Sequence, residues 1–257
     1  MLDGKSVIVT GAGSGIGAAA ALLAAESGAR VTVADVDEVG GGTTVEAIVG
    51  KGGDAQFVRT DISDEAQVEA LIGAAVARYG RLDAAFNNAG IASFSHVPGN
   101  TPTLFGDLPL AALRQTFEVN AIGTFLCMRA ELRAMLATGG GAIVNTASNA
   151  GILAVEAAAD YVGSKHAVIG LTKAAALDYA KRNIRVNALL PGVVRTKMME
   201  LSFAENPELE DWAASIQPVG RYGQPRELAE AAVWLMSDRA SFVTGISLSV
   251  DGGYSMV

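Results

Sequence analysis

Strand-like and helix-like segments take turns along the whole of this chain. Ser6–Thr10, Arg30–Asp35, Gln56–Arg59, Leu82–Asn87, Ala142–Ala147, Ile184–Leu190 and Ser247–Val250 read as strands, separated by alanine- and leucine-rich stretches at 15–28, 42–50, 64–79, within 109–137, around 158–182 and around 226–237. A strand that returns to the same sheet through a helix must run parallel to its predecessor. The strand runs are almost uninterrupted apolar sequence, as burial on both faces requires, so the expected fold is α/β, a single doubly wound parallel sheet flanked by helices. The 257 residues, half of them apolar, contain no linker-like stretch and read as one domain, 1–257. Two turn-rich intervals, 92–108 and 192–216, break the rhythm. Both follow expected strands, and ligands of such sheets bind beyond the carboxyl ends of strands, so these are the candidate substrate loops.

Charge narrows the functions available. The formal net charge is −8, from 19 Lys and Arg against 27 Asp and Glu, which opposes binding to nucleic acid. The one cysteine, Cys127, lies in an apolar helical run and reads as a small buried hydrophobe in a reducing compartment. The amino terminus lacks the long apolar core of an export signal, and Glu26, Glu131 and Asp178 interrupt the alanine-rich stretches before they reach membrane-spanning length. A soluble, cytoplasmic protein with no membrane partner is expected. His96 and His166 have no clustered carboxylate or cysteine at ligand spacing, so no metal site is expected.

Directly after the first strand comes Thr10-Gly-Ala-Gly-Ser-Gly-Ile-Gly17. Glycines there allow a tight turn and let backbone amides at a helix N-terminus approach a pyrophosphate. Asp35 closes the second strand 18 residues beyond Gly17, where its carboxylate can accept from the adenosine ribose hydroxyls of a dinucleotide. The plainer alternative is an acid that caps the next turn. A 2′-phosphate beside Asp35 would be repelled, neither Ser14 nor Val36 offers a compensating cation, and Arg30 begins the strand at its far end. NAD is therefore expected over NADP. Asp61 and Ile62 follow the third strand and are adenine candidates, and Asn87-Asn88-Ala89-Gly90 forms a second small turn after the fourth.

Tyr161 and Lys165 stand four residues apart in an expected helix, hence on one face. A phenol with an ordinary pKa of roughly 10 needs roughly 3–4 kcal/mol of differential stabilisation to become a useful base near neutrality. One cation at ~4 Å and an effective dielectric of ~20 supplies about 4 kcal/mol.

Taken in order, the glycine turn, Asn87-Asn-Ala-Gly90, Asn120, Ser148 and Tyr161-x-x-x-Lys165 resemble the short-chain dehydrogenase/reductase family over nearly the full chain, with Thr10, Gly11, Gly15 and Gly17 matching its glycine fingerprint. The resemblance implies a Rossmann fold that binds NAD through Gly11, Ser14, Gly15, Ile16, Gly17, Asp35, Asp61, Ile62, Asn88, Ala89 and Gly90. It implies that Tyr161 is the general base of alcohol oxidation and that Ser148 holds the reacting oxygen. Lys165 would hold the nicotinamide ribose and, with the nicotinamide charge, lower the tyrosine pKa. Asn120 would keep a water in a proton relay to the lysine. Pro191, Gly192, Val194 and Thr196 would bind the nicotinamide carboxamide, and the chain would assemble as a homotetramer. Taken singly, Ser148 and Asn149 could make only a turn, and Asn120 could be a helix-kinking polar residue. Gly163 replaces the family's usual alanine, and the 92–108 segment is longer than in compact members.

Around the expected reaction centre lie Ile91, Phe94, Ile152, Leu153, Val155, Met198, Met199, Leu201, Phe203 and Trp212, an apolar set suited to a hydrophobic small-molecule substrate. Arg195 and Lys197 could clamp an anion or simply face solvent. The runs Tyr161–Val168 and Ile216–Arg221 are similar to members that oxidise hydrophobic, often cyclic, secondary alcohols. Two alternatives remain: a 3-oxoacyl-carrier-protein reductase, against which Asp35 and the acidic balance argue, and a non-catalytic NAD-binding sensor, against which intact Ser148, Tyr161 and Lys165 argue. Enoyl reductases of the superfamily separate Tyr and Lys by more than four residues.

Overall fold

The computed structural model describes residues 1–92, 103–196, 199, 211–212 and 214–256. Seven strands, β1 (Ser6–Thr10), β2 (Arg30–Asp35), β3 (Asp54–Arg59), β4 (Ala84–Asn87), β5 (Gly141–Thr146), β6 (Ile184–Pro191) and β7 (Ser247–Val250), form one sheet in the order β3-β2-β1-β4-β5-β6-β7. Every pairing is parallel. The chain winds outward from β1 to β3, then crosses to β4 on the other side of β1. The carboxyl ends of β1 and β4 thus flank the crevice where such a sheet takes its ligand.

Alternation along each strand sends side chains to two cores. Val7 and Val9 of β1, with Phe86 of β4 and Val144 of β5, pack under α1 (Gly15–Glu26) and α7 (Pro225–Met236). Ile8, Ala85 and Ile143 point the other way, against α3 (Glu65–Tyr79) and α5 (Thr124–Thr138). The remaining long helices are α2 (Glu38–Val49), α4 (Leu110–Phe117) and α6 (Ala159–Tyr179).

Two expectations need correcting. The helix expected at 42–50 begins at Glu38, because Asp37 accepts from the amides of Val39 and Gly40 and caps it. Within its first turns Gly41 is required by packing: a Cβ there would come within 2.1 Å of the Phe57 ring. The helix expected within 109–137 is α4 and α5 joined by a π-helical turn, Glu118–Gly123, which carries Asn120. Of the two candidate substrate loops, 93–102 and most of 197–213 lie outside the described residues. Among the described residues no helix is long and apolar enough to cross a membrane.

Candidate active site

Two turns meet at the carboxyl ends of β1 and β4. Thr10 Oγ1 accepts from the amides of Asn88 (3.1 Å) and Ala89 (3.2 Å), and Asn88 Nδ2 donates to the Gly11 carbonyl at 3.3 Å. The approach is so close that a Cβ on Gly11, which has φ +63°, would lie 2.8 Å from Ala89 Cα. A Cβ on Gly17 would lie 2.0 Å from the Gly11 carbonyl oxygen. Glycine is demanded here by contact as much as by conformation. Ser14 enters α1 in extended conformation and makes no side-chain cap, so the first-turn amides of α1 are not answered by its hydroxyl.

Asp35 lies beside this turn. Its Oδ2 accepts from the Gly13 amide at 2.7 Å and its Oδ1 from the Asp37 amide at 2.9 Å. The turn-capping alternative therefore holds, and it places the carboxylate next to the glycine turn. Gly13 was not singled out from sequence, although its place two residues after Gly11 was the available signal. A glycine concavity at a helix N-terminus with a carboxylate beside it fits a dinucleotide. Asp61 Oδ1 is engaged by the amide and hydroxyl of Ser63. Ile62 is buried against Gly123, so its side chain serves the core and only its backbone is left to face a ligand.

The residues expected to carry the chemistry gather one step further along. Lys165 is buried, and its Nζ donates to the Thr146 carbonyl at 2.9 Å. A Cβ on Gly90 would lie 3.3 Å from that Nζ and 3.1 Å from Asn120 Oδ1, so this glycine admits both side chains. Asn120 bonds the Ile91 backbone twice, at 2.8 Å each, and donates to Ser164 Oγ at 3.1 Å. Lys165 Nζ stands 5.6 Å from the centre of the Tyr161 ring, and the Ser148 hydroxyl hydrogen-bonds the phenol while accepting from the Ala150 amide.

The electrostatics differ from the expectation that Lys165 would lower the Tyr161 pKa. In the free chain burial raises the phenol above its ordinary value, and the Ser148 hydroxyl is what opposes the rise. Tyr161 keeps some accessible surface, so its side chain is not sealed from water. Burial pushes Lys165 down to about 8, and its ammonium is turned toward the Thr146 carbonyl. The carbonyl of Thr146 is a contributor that sequence reasoning missed, since main-chain acceptors leave no signature in residue identity.

Beyond β6, Gly192 packs so tightly on Asp251 and Gln217 that a Cβ would lie 2.6 Å from Gln217 Oε1. Gln217, buried and also missed from sequence, accepts from the Val193 amide at 3.1 Å and steadies this segment. Pro191 pairs with Val250, and Val194 is buried in the core and bridges to Gly223. Thr196 returns to the glycine turn, with Cγ2 at 3.3 Å from the position of a Cβ on Gly15. Arg195 stacks on the Tyr222 ring at 5.9 Å.

Of the apolar pocket candidates, Ile152, Val155 and Trp212 are exposed, whereas Ile91, Leu153 and Met199 are half-buried. Phe94, His96, Lys197, Met198, Leu201 and Phe203 lie outside the described residues. His166 Nδ1 pairs with the Val162 carbonyl, and Cys127 is buried with its thiol pushed up by burial. A cavity of about 530 Å³ opens at the opposite, amino-terminal edge of the sheet among Lys5, Arg81, Asp83 and Arg185, away from these groups.

The family model described as enoyl-(acyl carrier protein) reductase matches residues 11–255. The 2,5-dichloro-2,5-cyclohexadiene-1,4-diol dehydrogenase of Sphingobium indicum is 48% identical over 257 residues, covering 100% of this chain and 99% of the relative. The cyclohexanol dehydrogenase of an Acinetobacter species is 41% identical over 253 residues, covering 98% and 96%. Among solved structures, levodione reductase superposes with a TM-score of 0.93 at 34% identity, covering 100% of both chains.

Proposed function

The chain belongs to the short-chain dehydrogenase/reductase family, and on that premise we propose that it moves a hydride between NAD and a hydrophobic, cyclic secondary alcohol or its ketone. The observation that carries the reading is the continuous path from the Gly11 turn through Ala89 and Gly90 to Lys165, Tyr161 and Ser148. On this reading the phenol would accept the substrate proton beside the dinucleotide.

When bound, NAD supplies the hydride acceptor and a positive charge beside the phenol. The amides of the glycine turn and the first turn of α1 hold the pyrophosphate, and Asp35 receives the adenosine ribose hydroxyls. Thr196, with the backbone of Pro191, Gly192 and Val194, holds the carboxamide. Ser148 donates to the substrate oxygen, and Tyr161 takes the hydroxyl proton as the carbinol hydrogen departs. Lys165 holds the nicotinamide ribose and keeps positive charge near the phenolate. Asn120 fixes the floor on which this lysine rests and keeps the relay water.

The cyclic alcohol is supported by the names of two relatives, a cyclohexadienediol and a cyclohexanol dehydrogenase, and by the apolar Ile152, Val155 and Trp212. Enoyl reduction is not proposed, because Tyr161 and Lys165 are four residues apart. We also propose a cytoplasmic homotetramer. Exposed Ile122, Phe125 and Leu136 on one helical face offer an apolar contact, and sedimentation at a monomer's mass would remove the tetramer.

The test is the rise of NADH absorbance with NAD and a panel of cyclic and acyclic secondary alcohols. Turnover of cyclic alcohols is expected. Cofactor binding without turnover across the panel would replace this reading with the sensor.

A further inference from the structure

Beneath the turn that follows β4 lies a polar layer that none of the steps above uses. Glu131, on α5, is completely buried, and among the described residues it is the only buried glutamate. Asn87 Nδ2 donates to its Oε2 at 2.9 Å and to Asn145 Oδ1 at 3.0 Å. Asn145 Nδ2 passes the chain on to Thr172 Oγ1 at 2.9 Å, and Thr172 donates to the Val168 carbonyl.

Two atoms of this layer, Glu131 Oε1 and Asn87 Oδ1, are buried with no hydrogen-bond donor. They belong to the two groups already joined by the Asn87 amide hydrogen. With an ionised carboxylate both are acceptors, and each would bear the full cost of a buried, unsatisfied oxygen. One proton on Oε1 answers both at once. The acid would then donate to the amide oxygen while the amide donates to the acid oxygen, closing a ring of two hydrogen bonds.

We propose that Glu131 is an un-ionised carboxylic acid that closes a two-bond ring with the Asn87 amide and thereby positions the cofactor-facing turn Asn88–Gly90. Glu131 touches no reacting atom in this scheme. It is a positioning residue, and that role rests on the reading of Asn88–Gly90 as cofactor wall.

Among the described residues the surroundings supply no charge to hold an anion. From β4 and β5 it meets the neutral amides Asn87 and Asn145, and from α6 Thr172 joins the layer. Cys127, one turn earlier on α5, is itself pushed up by burial and brings no charge. On α3, Glu65 and Glu69 pair with Arg129 and Arg133 at the surface. Lys165 on α6 gives its ammonium to the Thr146 carbonyl. Burial accordingly raises the Glu131 carboxyl to about 8, opposed only by the Asn87 amide.

The folded chain holds a proton that the unfolded chain releases near its ordinary value, 4.5, so Glu131's contribution to stability is complete below that and is lost as pH rises to about 8. E131Q keeps both bonds of the ring with no titrating proton. E131L removes the ring and leaves the Asn87 amide oxygen unanswered.

Melting temperatures of the cofactor-free wild type, E131Q and E131L across this range test the pair. The gap between E131Q and wild type is expected to open by about 3 °C or more as pH rises from about 5 to about 8, and then to level off. E131L should melt below E131Q throughout. A gap that does not move with pH, or an E131L as stable as E131Q, overturns the ring. Should E131Q not fold, wild-type protein with carboxyl-labelled glutamate gives the same decision by NMR. One glutamate carbon is expected to titrate near 8, and the absence of any such resonance overturns the proposal.

Positioning is read separately, from NAD affinity above and below the titration. Wild type should lose affinity at least about threefold more than E131Q as the native pair ionises, a difference of about 0.65 kcal/mol. A moving temperature gap with parallel affinities overturns positioning. If no variant binds NAD at any pH while the gap still moves, the NAD reading fails and the acid–amide ring stands.

Discussion

Asn120 closes two 2.8 Å hydrogen bonds on a single residue, accepting from the Ile91 amide and donating to the Ile91 carbonyl. It does so from a π-helical turn, where an extra residue per turn re-aims a side chain that regular α-helix would direct elsewhere. Asn120→Ala strips both backbone groups and Ser164 of a partner. A loss of about 2–3 kcal/mol in urea unfolding is expected, with turnover falling more than cofactor affinity. An alanine variant with unchanged midpoint and kcat would remove Asn120 from the site.

Tyr161→Phe deletes the phenolic oxygen that Ser148 hydrogen-bonds and leaves the ring in place. Turnover is expected to fall about 10²–10⁴-fold, with NAD affinity nearly unchanged. Titration calorimetry beside steady-state kinetics measures both, and substantial residual rate would take the base assignment away from this residue.

Lys165 is a buried cation held down to about 8 against an ordinary 10.5. The unfolded chain binds more protons than the folded chain between these values, so stability of the cofactor-free protein rises with pH across that window. Below about 8 the burial penalty is present in full. Lys165→Met removes the titrating group, so its melting temperature relative to wild type should be higher at pH 7.5 than at pH 9.5. Parallel pH profiles for the two proteins would contradict the burial account, and loss of turnover in the variant is expected at both pH values.

Gly17→Ala drives a Cβ into the Gly11 carbonyl, at 2.0 Å, and toward Asn88 Nδ2, at 2.7 Å. The turns after β1 and β4 must separate to admit it. NAD affinity should be lost beyond about a hundredfold, about 2.7 kcal/mol, while circular dichroism still reports the sheet. Retained affinity would mean that the glycine turn is not where the cofactor lies.

Asp35→Ala should narrow the preference for NAD over NADP by about tenfold or more, because two unit charges about 5 Å apart at a dielectric of about 20 repel by about 3 kcal/mol. Asp35→Asn is the control that keeps an acceptor for the Gly13 or Asp37 amide. Unaltered NAD-to-NADP ratios of kcat/KM in both variants would defeat the ribose assignment.

The strand and helix order was legible in the sequence, because burial on both faces of a parallel sheet writes itself as apolar runs between helical periods. So were the positions of the glycine turn, Asp35 and the Tyr161–Lys165 face, whose proposed chemistry depends on residue type at short spacing. What residue identity does not encode is which main-chain group answers a side chain. The Thr146 carbonyl under Lys165, the Gly13 amide on Asp35 and the double clasp of Asn120 on Ile91 are contacts across 19, 22 and 29 residues. The helix expected at 42–50 starts earlier for a related reason, since Gly41 inside it is fixed by a ring from β3 rather than by a turn. Glu131 shows the limit most sharply. In sequence it is a charge that interrupts an apolar stretch, and only the packing of α5 on β4 and β5 takes its carboxyl out of water and sets it against an amide. Local spacing dictated the elements and the reactive residue types; the dielectric, the long-range partners and hence the protonation of those groups were decided by tertiary burial, which no short window of sequence contains.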